Sequence, residues 1–551
     1  MNSLIIHNDN VINMEEFILE KKFTQNYSDI DKYISLDIIQ YIQSNLIDII
    51  YIKDNLSSNY LELYGLRVAY HIRLSSELSF EKRCLPIVII SDIDIYTLNK
   101  LSALSSILFT KNIFTIQNEP NMVQNFDTTK IVPLIEEEYQ NSFLDKIKIE
   151  QPKDYLSHHS IANEWSIFRW SEFLKVSAQA LQVNKEKISS MLYFKYLLAN
   201  NPIKKSKGLT FSPKSPTLNG NILYIDDQWN QGWSDIFDKY FSKSSDINFS
   251  TFKYTYKDKN SDTVLKDIKN EVISKKPDLI ILDLRLIKSD HNDIKDEKDI
   301  ELLTGVKVLN QIKDINKGIQ VIMLTASNQT LILEKLYNYG VLGYIRKEHP
   351  NDTSVSTKDN LTKFKNFIDT GLEKKYLQEV WSKQNNILNF SLFKKSSNKK
   401  IKNIAFDITT IFEILDSKME DKFSFVIFTY TKILEAISSI YVNEFTMKYL
   451  EDNTDIGIYD YKQNNVYDYQ SEKWYRNTQN RLHNIFFEKL SLTQKSIHTD
   501  LCELINCRNY IAHPNEKTPV GCNLIKQPNT EDILKWFEML YIVLKQMDKN
   551  L

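Results

Sequence analysis

Polar side chains suited to phosphoryl chemistry end four apolar segments in the middle of the chain. Asp226 and Asp227 follow ILYI, Asp283 ends LIILD, Thr325 ends VIMLT and Lys347 follows YIR. Clustered carboxylates repel one another unless a divalent cation joins them, and hard oxygen ligands with open positions suit Mg²⁺. A central aspartate can then attack a phosphoryl donor, because the metal and a lysine neutralise the oxygens of the transferring group.

A second pair of residues with chemical potential lies near the end of the chain. The stretch LINCRNYIAHP places Arg508 five residues before His513, just ahead of a proline. Histidine titrates near neutrality and can remove the proton of an RNA 2'-hydroxyl, while a guanidinium matches the geometry of a phosphorane. This pair therefore favours metal-independent RNA cleavage with a 2',3'-cyclic phosphate product.

The elements around the first set predict where its side chains lie. Between the apolar segments are stretches such as LLTGVKVLNQIKDI and TLILEKLYNYG, whose apolar residues recur at the three- and four-residue steps of a helix. Alternating strands and helices predict βαβ units with a parallel sheet covered on both faces. Ligands of such sheets bind at the carboxyl ends of the strands, so we expect the five polar side chains to converge there.

Residues 221 to about 370 resemble the receiver domain of two-component response regulators. The resemblance implies Asp226 and Asp227 as the acidic pair, Asp283 as the phosphoacceptor, Thr325 as the switch hydroxyl and Lys347 as the phosphate-contacting lysine. The alternative, an α/β domain with incidental acids, has to explain five matching positions at the ends of four successive strands.

The same resemblance implies further features of this region. Tyr344 matches the aromatic residue that changes rotamer on activation, and the backbone carbonyl of Arg285 would complete a Mg²⁺ site with the three aspartates. A histidine kinase or a small phosphodonor would supply the phosphoryl group. The loop KSDHNDIKDEKDIE after Asp283 is longer than the family pattern and changes access to the site.

The N-terminal segment repeats the pattern of the receiver-like region. LYGLRVAYHIR matches LTGVKVLNQIK, IDIIYIKDNL matches PDLIILDLRL, IVIISD matches QVIMLT and ILFTKN matches GYIRKE. In this register Lys53 takes the place of the phosphoacceptor, Asn8 and Asp9 that of the acidic pair, and Lys111 that of the phosphate-contacting lysine. A lysine cannot accept a phosphoryl group by this chemistry. We therefore expect a degenerate receiver with a docking or dimerisation role, and an unrelated α/β domain is the alternative.

The region between the two repeats has a different character. SHHSIANEWSIFRWSEFLKVS is aromatic-rich with helical spacing, and NPIKKSKGLTFSPKSPTLNG is a linker rich in Pro, Ser and Lys. We interpret the first as a helical hairpin that packs on a neighbouring domain or a second subunit. The adjacent His158 and His159 invite a metal or phosphorelay hypothesis, but a helix cap is the better interpretation without nearby cysteine or acidic partners.

The last third of the chain reads as long amphipathic helices, and we expect an all-α bundle. RNYIAHP within it resembles the Arg-x4-His motif of the HEPN superfamily, whose nuclease members build their site across a dimer. The resemblance implies Arg508, His513 and the neighbouring Asn509 as catalytic residues, with no cofactor. On a continuous helix residues five apart lie about 140° from each other around the axis, which favours a site shared by two copies. The alternatives are a structural Arg and His at a helix end, or a non-catalytic bundle.

Cysteine usage favours structural roles for the thiols. Zinc ligation by Cys502, Cys507, Cys522 and His513 is disfavoured, because the sequence has no Cys-x2-Cys pair. Four cysteines are too few and too uneven for a disulfide framework, which indicates a reducing compartment.

Composition limits the possible partners and the domain organisation. A formal charge of -2 gives no global attraction to nucleic acid or anionic membrane, so RNA contact must be local and no DNA or membrane partner is expected. We expect a cytoplasmic protein. With 551 residues the chain exceeds one core. The expected divisions are 1–124 (degenerate receiver), 125–215 (hairpin and linker), 216–372 (receiver), 373–402 (connector) and 403–551 (HEPN-like bundle).

These features together predict a phosphorylation-regulated effector. The receiver is the input and the HEPN-like bundle an endoribonuclease output, within a homodimer. Fusions of this kind resemble bacterial anti-phage or stress systems by analogy only. The alternative is a two-component signalling scaffold whose bundle binds a partner or nucleotide without cleaving it.

Overall fold

The computed structural model describes most of the chain. The described residues are 2–12, 14–24, 26–152, 158–202, 218–254, 261–291, 297–326, 330–352, 356–441, 445–448, 455–460, 465–468, 473–476, 478–514 and 523–550. Side chains of some further residues within these ranges, among them those of His158 and His159, lie outside the description.

The first α/β unit is built on five parallel strands. Apolar β-branched residues dominate strands β1, β3 and β4, every residue of which is buried, as expected for strands covered on both faces. The strand order β2-β1-β3-β4-β5 is that of a flavodoxin-like sheet. The strands are β1 (Ser3–His7), β2 (Leu19–Lys22), β3 (Ile49–Lys53), β4 (Ile87–Ser91) and β5 (Ile113–Gln117); the helices are α1 (Ile30–Tyr33), α2 (Gln40–Ser44), α3 (Tyr64–Leu74), α4 (Phe80–Arg83), α5 (Ile95–Leu101), α6 (Met122–Asn125) and α7 (Tyr139–Ser142).

Three helices follow the first unit and form the predicted hairpin region. They are α8 (His158–Leu174), α9 (Gln179–Ser190) and α10 (Leu192–Asn200). Helix α8 packs against α9, and α10 packs against α3 of the first unit. The aromatic side chains of the region are therefore used in packing between units.

The second α/β unit repeats the architecture of the first. Its five parallel strands have the order β10-β9-β8-β6-β7, which corresponds strand for strand to the first sheet. The strands are β6 (Gly220–Ile225), β7 (Ile247–Thr251), β8 (Leu279–Asp283), β9 (Gln320–Thr325) and β10 (Gly343–Arg346); the helices are α11 (Trp233–Phe241), α12 (Ser261–Lys275), α13 (Thr304–Ile315), α14 (Thr330–Asn338) and α15 (Thr357–Glu373). The prediction of two receiver-like parallel sheets is confirmed.

The C-terminal unit is largely helical and has its own apolar core. Trp536, Phe537, Tyr430 and Leu504 lie in this core and are shielded from solvent. The helices are α16 (Leu377–Leu388), α17 (Ser391–Lys395), α18 (Lys399–Asp416), α19 (Lys422–Ile440), α20 (Thr478–Asn484), α21 (Lys495–Ala512) and α22 (Thr530–Asn550). Helix α19 is the one described helix long and apolar enough to cross a membrane, and it packs against α18, α21 and α22.

Three details of the C-terminal unit differ from the sequence prediction. An antiparallel sheet of four strands interrupts the helices, so the unit is not all-α: β11 (Phe445–Lys448), β12 (Asp455–Asp460), β13 (Asn465–Asp468) and β14 (Lys473–Arg476). Helix α21 ends at Ala512, and His513 lies beyond it with extended φ of -140°. Cys507 of α21 is free and buried, whereas Cys502 of the same helix is disulfide-bonded.

Candidate phosphoacceptor site

The predicted phosphoryl-transfer residues converge at the carboxyl edge of the second sheet. Strand β8 ends at Asp283, which pairs with Leu324 of β9, and Arg346 at the end of β10 pairs with Thr325. Lys347 follows directly, and its backbone N–H donates to the Thr325 carbonyl at 2.7 Å. Because all these strands run parallel, their polar ends share one edge of the sheet.

A buried lysine joins two of the three aspartates. The Lys347 Nζ lies 3.2 Å from Asp226 Oδ2 and 3.1 Å from Asp283 Oδ1. Burial alone would lower the pKa of Lys347, but the surrounding carboxylates outweigh it and raise that pKa. Burial raises the pKa of Asp283 to about 7, and the repulsion of Asp226 and Asp227 acts in the same direction against the attraction of Lys347.

The charge balance of the cluster suits a divalent cation. Three carboxylates around one ammonium leave two negative charges, which a divalent ion would neutralise. Asp227, Asp283 and Arg285 line a cavity together with Thr325. Among the described residues no three His, Cys, Asp or Glu side chains form a ready-made metal cluster. The donor chemistry fits Mg²⁺, and the Arg285 N–H already orients Asp283 by donating to its Oδ2 at 2.8 Å.

A similar glycine contact in each α/β unit shows which strand-end residues are equivalent. A Cβ on Gly305 at the start of α13 would lie 2.5 Å from the carbonyl oxygen of Asp283. A Cβ on Gly65 at the start of α3 would lie 2.0 Å from the carbonyl oxygen of Lys53. Only glycine permits this approach of helix to strand end. Lys53 therefore occupies in the first unit the place that Asp283 occupies in the second.

In the first unit a network of ion pairs occupies the position that corresponds to the Asp283 site. The buried Lys53 Nζ lies 2.6 Å from Asp54 Oδ1 and 2.8 Å from Asp92 Oδ2. Asp54 is fully buried and also accepts from the Ser91 hydroxyl at 2.6 Å. Burial lowers the pKa of Lys53, but the two carboxylates outweigh it and raise that pKa. The ammonium sits where a phosphoacceptor would be, so this unit lacks the nucleophile.

Two equivalences predicted for the first unit are wrong. The register of β1 and β3 pairs Ile6 with Ile52, so His7 and Asn8, rather than Asn8 and Asp9, match the acidic pair. Lys111 precedes β5 and forms an ion pair with Glu138. The position that matches Lys347 is Asn118, directly after β5, because Ser91 pairs with Gln117 as Thr325 pairs with Arg346.

The predicted switch aromatic lies at the surface of the second unit. Tyr344 is partly exposed, and its ring makes an edge contact with Tyr337 at a centroid distance of 5.9 Å. The Lys363 Nζ of α15 lies 4.4 Å from the centroid of the Tyr344 ring. Tyr344 thus touches the helix that leads to the C-terminal unit.

The residues predicted for RNA cleavage lie at the end of α21. Arg508 is partly buried and donates to Asn509 Oδ1 at 3.1 Å, and His513 is exposed. The His513 N–H donates to the Asn509 carbonyl at 2.8 Å and closes the last turn. Since His513 is not helical, the angle of a continuous helix does not describe its relation to Arg508.

Asn163 of α8 is a site residue that sequence reasoning missed. It lines the same cavity as Asp227, Asp283 and Thr325, although it lies more than 60 residues before the second sheet begins to supply them. A single asparagine in an aromatic helix carries no sequence signal for this role. Only the packing of α8 on the second unit reveals it.

A family model matches the first α/β unit. Residues 3–116 match the model of the Inactive Receiver domain family, so the match runs from β1 into β5. A search of curated proteins finds no match.

Solved structures of response regulators resemble parts of the chain. The signal receiver domain of a Luxo repressor protein from Vibrio parahaemolyticus is 18% identical, with 30% of this chain and 97% of that chain covered and a TM-score of 0.20. NtrX from Brucella abortus, in complex with ADP, is 16% identical over 35% of this chain and 34% of that chain, with a TM-score of 0.21. A LuxR family two-component response regulator from Aurantimonas sp. SI85-9A1 is 12% identical over 26% and 86% of the two chains, with a TM-score of 0.17.

Proposed function

We propose that the chain is a phosphorylation-regulated signalling effector whose second α/β unit is an active receiver. The observation that carries this proposal is the buried cluster of Asp226, Asp283 and Lys347 beside a cavity lined by Asp227 and Thr325. A receiver implies two-component signalling, in which a histidine kinase or a small phosphodonor supplies the phosphoryl group.

The residues of the cluster have distinct tasks in phosphoryl transfer. A carboxylate oxygen of Asp283 forms the new O–P bond as the P–N bond of a phosphohistidine, or the P–O bond of acetyl phosphate, breaks. The donor leaves with the bonding electron pair. Lys347 neutralises charge on the transferring oxygens, and the Thr325 hydroxyl donates to the bound phosphoryl group. Mg²⁺ held by the three aspartates would balance the remaining negative charge.

The C-terminal unit is positioned to receive the signal through α15 and α16. Helix α15 carries Lys363 against Tyr344 and continues through a 3-10 turn into α16, which belongs to the C-terminal core. Helix α16 also contacts the opposite end of the second sheet, where Asn316 donates to the Gln378 carbonyl at 3.0 Å. A shift of Tyr344 therefore has a direct path to the packing of the bundle.

The output proposed for the C-terminal unit is RNA cleavage. It is supported by two features at the end of α21, the cation of Arg508, which is ordered by Asn509, and the exposed His513. Arg508 would stabilise the phosphorane and His513 would remove the 2'-hydroxyl proton. A homodimer would bring two such ends together. A scaffold that binds a partner or nucleotide without cleaving it is the competing output.

The receiver proposal is tested by the mass of the intact protein. With acetyl phosphate and Mg²⁺ the wild type should gain one phosphoryl group, and Asp283→Asn should gain none. The matched control is Asp407→Asn, since Asp407 is similarly buried and also pairs with a lysine, Lys432, but lies on α18 of the C-terminal unit. An adduct on Asp283→Asn equal to that of the wild type would refute the assignment.

The output proposal is tested with a structured RNA and purified full-length protein. Cleavage to 2',3'-cyclic phosphate ends by the wild type, and none by His513→Ala, supports the nuclease. RNA binding without cleavage by both proteins supports the scaffold.

A further inference from the structure

Helix α8, which precedes the second α/β unit, packs over the end of that unit where Asp283 lies. The Asn163 side chain of α8 donates to Gln228 Oε1 at 2.6 Å and to Gln231 Oε1 at 3.1 Å. It also accepts from Trp233 Nε1 at 2.8 Å. Gln228 directly follows the acidic pair and donates its backbone N–H to Asp226 Oδ1 at 2.7 Å. Asn163 therefore holds the loop that carries the acidic pair.

A second contact links Asn163 to the lysine of the site. The ring of Trp233, which donates to Asn163, lies 5.9 Å from the Lys347 Nζ. Glu348, the next residue, accepts from Trp170 Nε1 of α8 at 3.1 Å, and its carbonyl accepts from the Ser166 hydroxyl at 3.1 Å. Helix α8 thus contacts the neighbours of both the acidic pair and the lysine.

Asn163 forms part of the wall of the cavity beside Asp283, into which a phosphoryl group on Asp283 would project. The cavity is partly open to solvent and has a volume of about 20 Å³, which is room for about one ordered water molecule. Among the lining residues in the described part of the chain, Asn163 alone comes from outside the second unit.

The same helix belongs to the cores of both α/β units. Ile167 and Trp170 pack with Trp233 in the second unit, while Ile161 and Trp165 pack in the core of the first. Helix α10, which follows α8 and α9, is also fixed to the first unit.

Buried polar contacts make that second attachment. The Leu192 N–H donates to Asp31 Oδ2 at 2.8 Å, and the buried Lys195 Nζ donates to the hydroxyls of Ser35 and Ser75 at 2.9 and 2.6 Å. Because α8 and α10 both pack on the first unit, a movement of α8 changes the packing of that unit.

We propose that Asn163 is a positioning residue and gate of the phosphoacceptor pocket, and that α8 couples occupancy of this pocket to the first unit. The inference rests on the proposed phosphorylation of Asp283. Entry of a phosphoryl group displaces the Asn163 side chain from Gln228 and Trp233. The displacement moves α8 relative to the inactive receiver. The inactive receiver thereby responds to phosphorylation of the second unit.

Two substitutions of opposite expected effect test the gate in the full-length protein. Asn163→Ala opens the wall, and phosphorylation of Asp283 by acetyl phosphate with Mg²⁺ should become at least about threefold faster. Asn163→Asp keeps the size but adds a negative charge beside Asp227 and Asp283, so the rate should fall by at least about threefold. The control Lys187→Ala breaks the Lys187–Glu164 pair (2.6 Å) between α9 and α8 away from the cavity and should leave the rate unchanged.

The outcomes separate the gate from the proposed function. Equal rates in both Asn163 variants and the wild type, or the same direction of change in both, would overturn the gate while leaving Asp283 a phosphoacceptor. No adduct in any variant would overturn the receiver proposal itself. Beryllofluoride should also change hydrogen exchange in peptides of α8 and α10, and a change confined to the second unit would overturn the coupling.

Discussion

The Lys53 network of the first α/β unit allows a quantitative test of how much a buried ion pair contributes to the stability of that unit. In Lys53→Met the fully buried Asp54 loses its counter-charge but keeps hydrogen bonds from the Asn55 N–H at 2.7 Å and the Ser91 hydroxyl at 2.6 Å. Removal of one partner from a buried ion pair typically costs about 3–5 kcal/mol. The two remaining hydrogen bonds place the expected loss at the lower end, about 3 kcal/mol. Asp92 adds little, because it is 48% exposed and can be rehydrated.

A second substitution should recover much of this loss. In Lys53→Met/Asp54→Asn the buried charge is gone, and the amide can still accept from the Asn55 N–H and donate to Ser91. We expect a loss of only about 1 kcal/mol relative to the wild type, since a neutral hydrogen-bonded group has a small desolvation cost. The control is Lys21→Met, which breaks a more exposed pair with Asp37 and should cost about 0–1 kcal/mol.

The assay is urea unfolding followed by hydrogen-exchange mass spectrometry of peptides from β1, β3 and β4. Peptide resolution is needed because a chain with several cores does not unfold in one step. A loss below about 1 kcal/mol in Lys53→Met, or a double variant as unstable as the single one, would contradict the idea that Lys53 stabilises the buried charge of Asp54. Lys53→Asp should not create a phosphorylation site, since His7 and Asn8 stand at the acidic positions.

Three further predictions concern the other units. Gly305→Ala should destabilise the second unit by about 1–3 kcal/mol, because the new methyl group meets the Asp283 carbonyl at 2.5 Å; peptide-resolved unfolding measures this, and an unchanged midpoint would contradict the close approach. Burial and the neighbouring His498 lower the pKa of His483 from 6.5 to about 3, so its stabilising contribution is present above pH 6.5 and is lost as the pH falls. Between pH 8 and 5.5 the C-terminal unit should lose about 1.4 kcal/mol from this group, and His483→Gln should remove that part of the pH dependence. Asp283→Asn should abolish the response of RNA cleavage to phosphodonor, whereas His513→Ala should abolish cleavage in every state; cleavage by wild type that ignores confirmed phosphorylation would separate input from output.

The second α/β unit was predictable because its information is local in the sequence. Each of its strands is a solid apolar segment that ends in a polar residue, and parallel strands place their ends at one edge whatever the loops between them do. The equivalence of Lys53 with Asp283 was also predictable, since similar apolar strands are followed in the same order by similar glycine-containing helix starts, LYGLRV and LTGVKV, although the second loop is longer. Convergence of Asp226, Asp283 and Lys347 then followed from topology alone.

Other features depended on contacts that local sequence does not encode. The match of ILFTKN with the last receiver strand rested on apolar residues and one lysine. The real strand begins at Ile113, so Asn118 rather than Lys111 lies at the position of Lys347. The antiparallel strands between 445 and 476 contain aromatic and β-branched residues, as in NVYD and KWYR, and each pairs with the next strand along the chain. The helical periodicity of the flanking segments obscured this strand pattern in the sequence.

By itself the sequence determined the two parallel sheets and the polar residues at their carboxyl edges, because strand identity depends on hydrophobic runs and edge position on chain direction. Only the tertiary structure decided which residue from outside the second unit lines the cavity beside Asp283. Asn163 reaches it from α8 because Trp170 and Ile167 bury their side chains against Trp233, and such packing between distant segments depends on shape rather than on any local pattern.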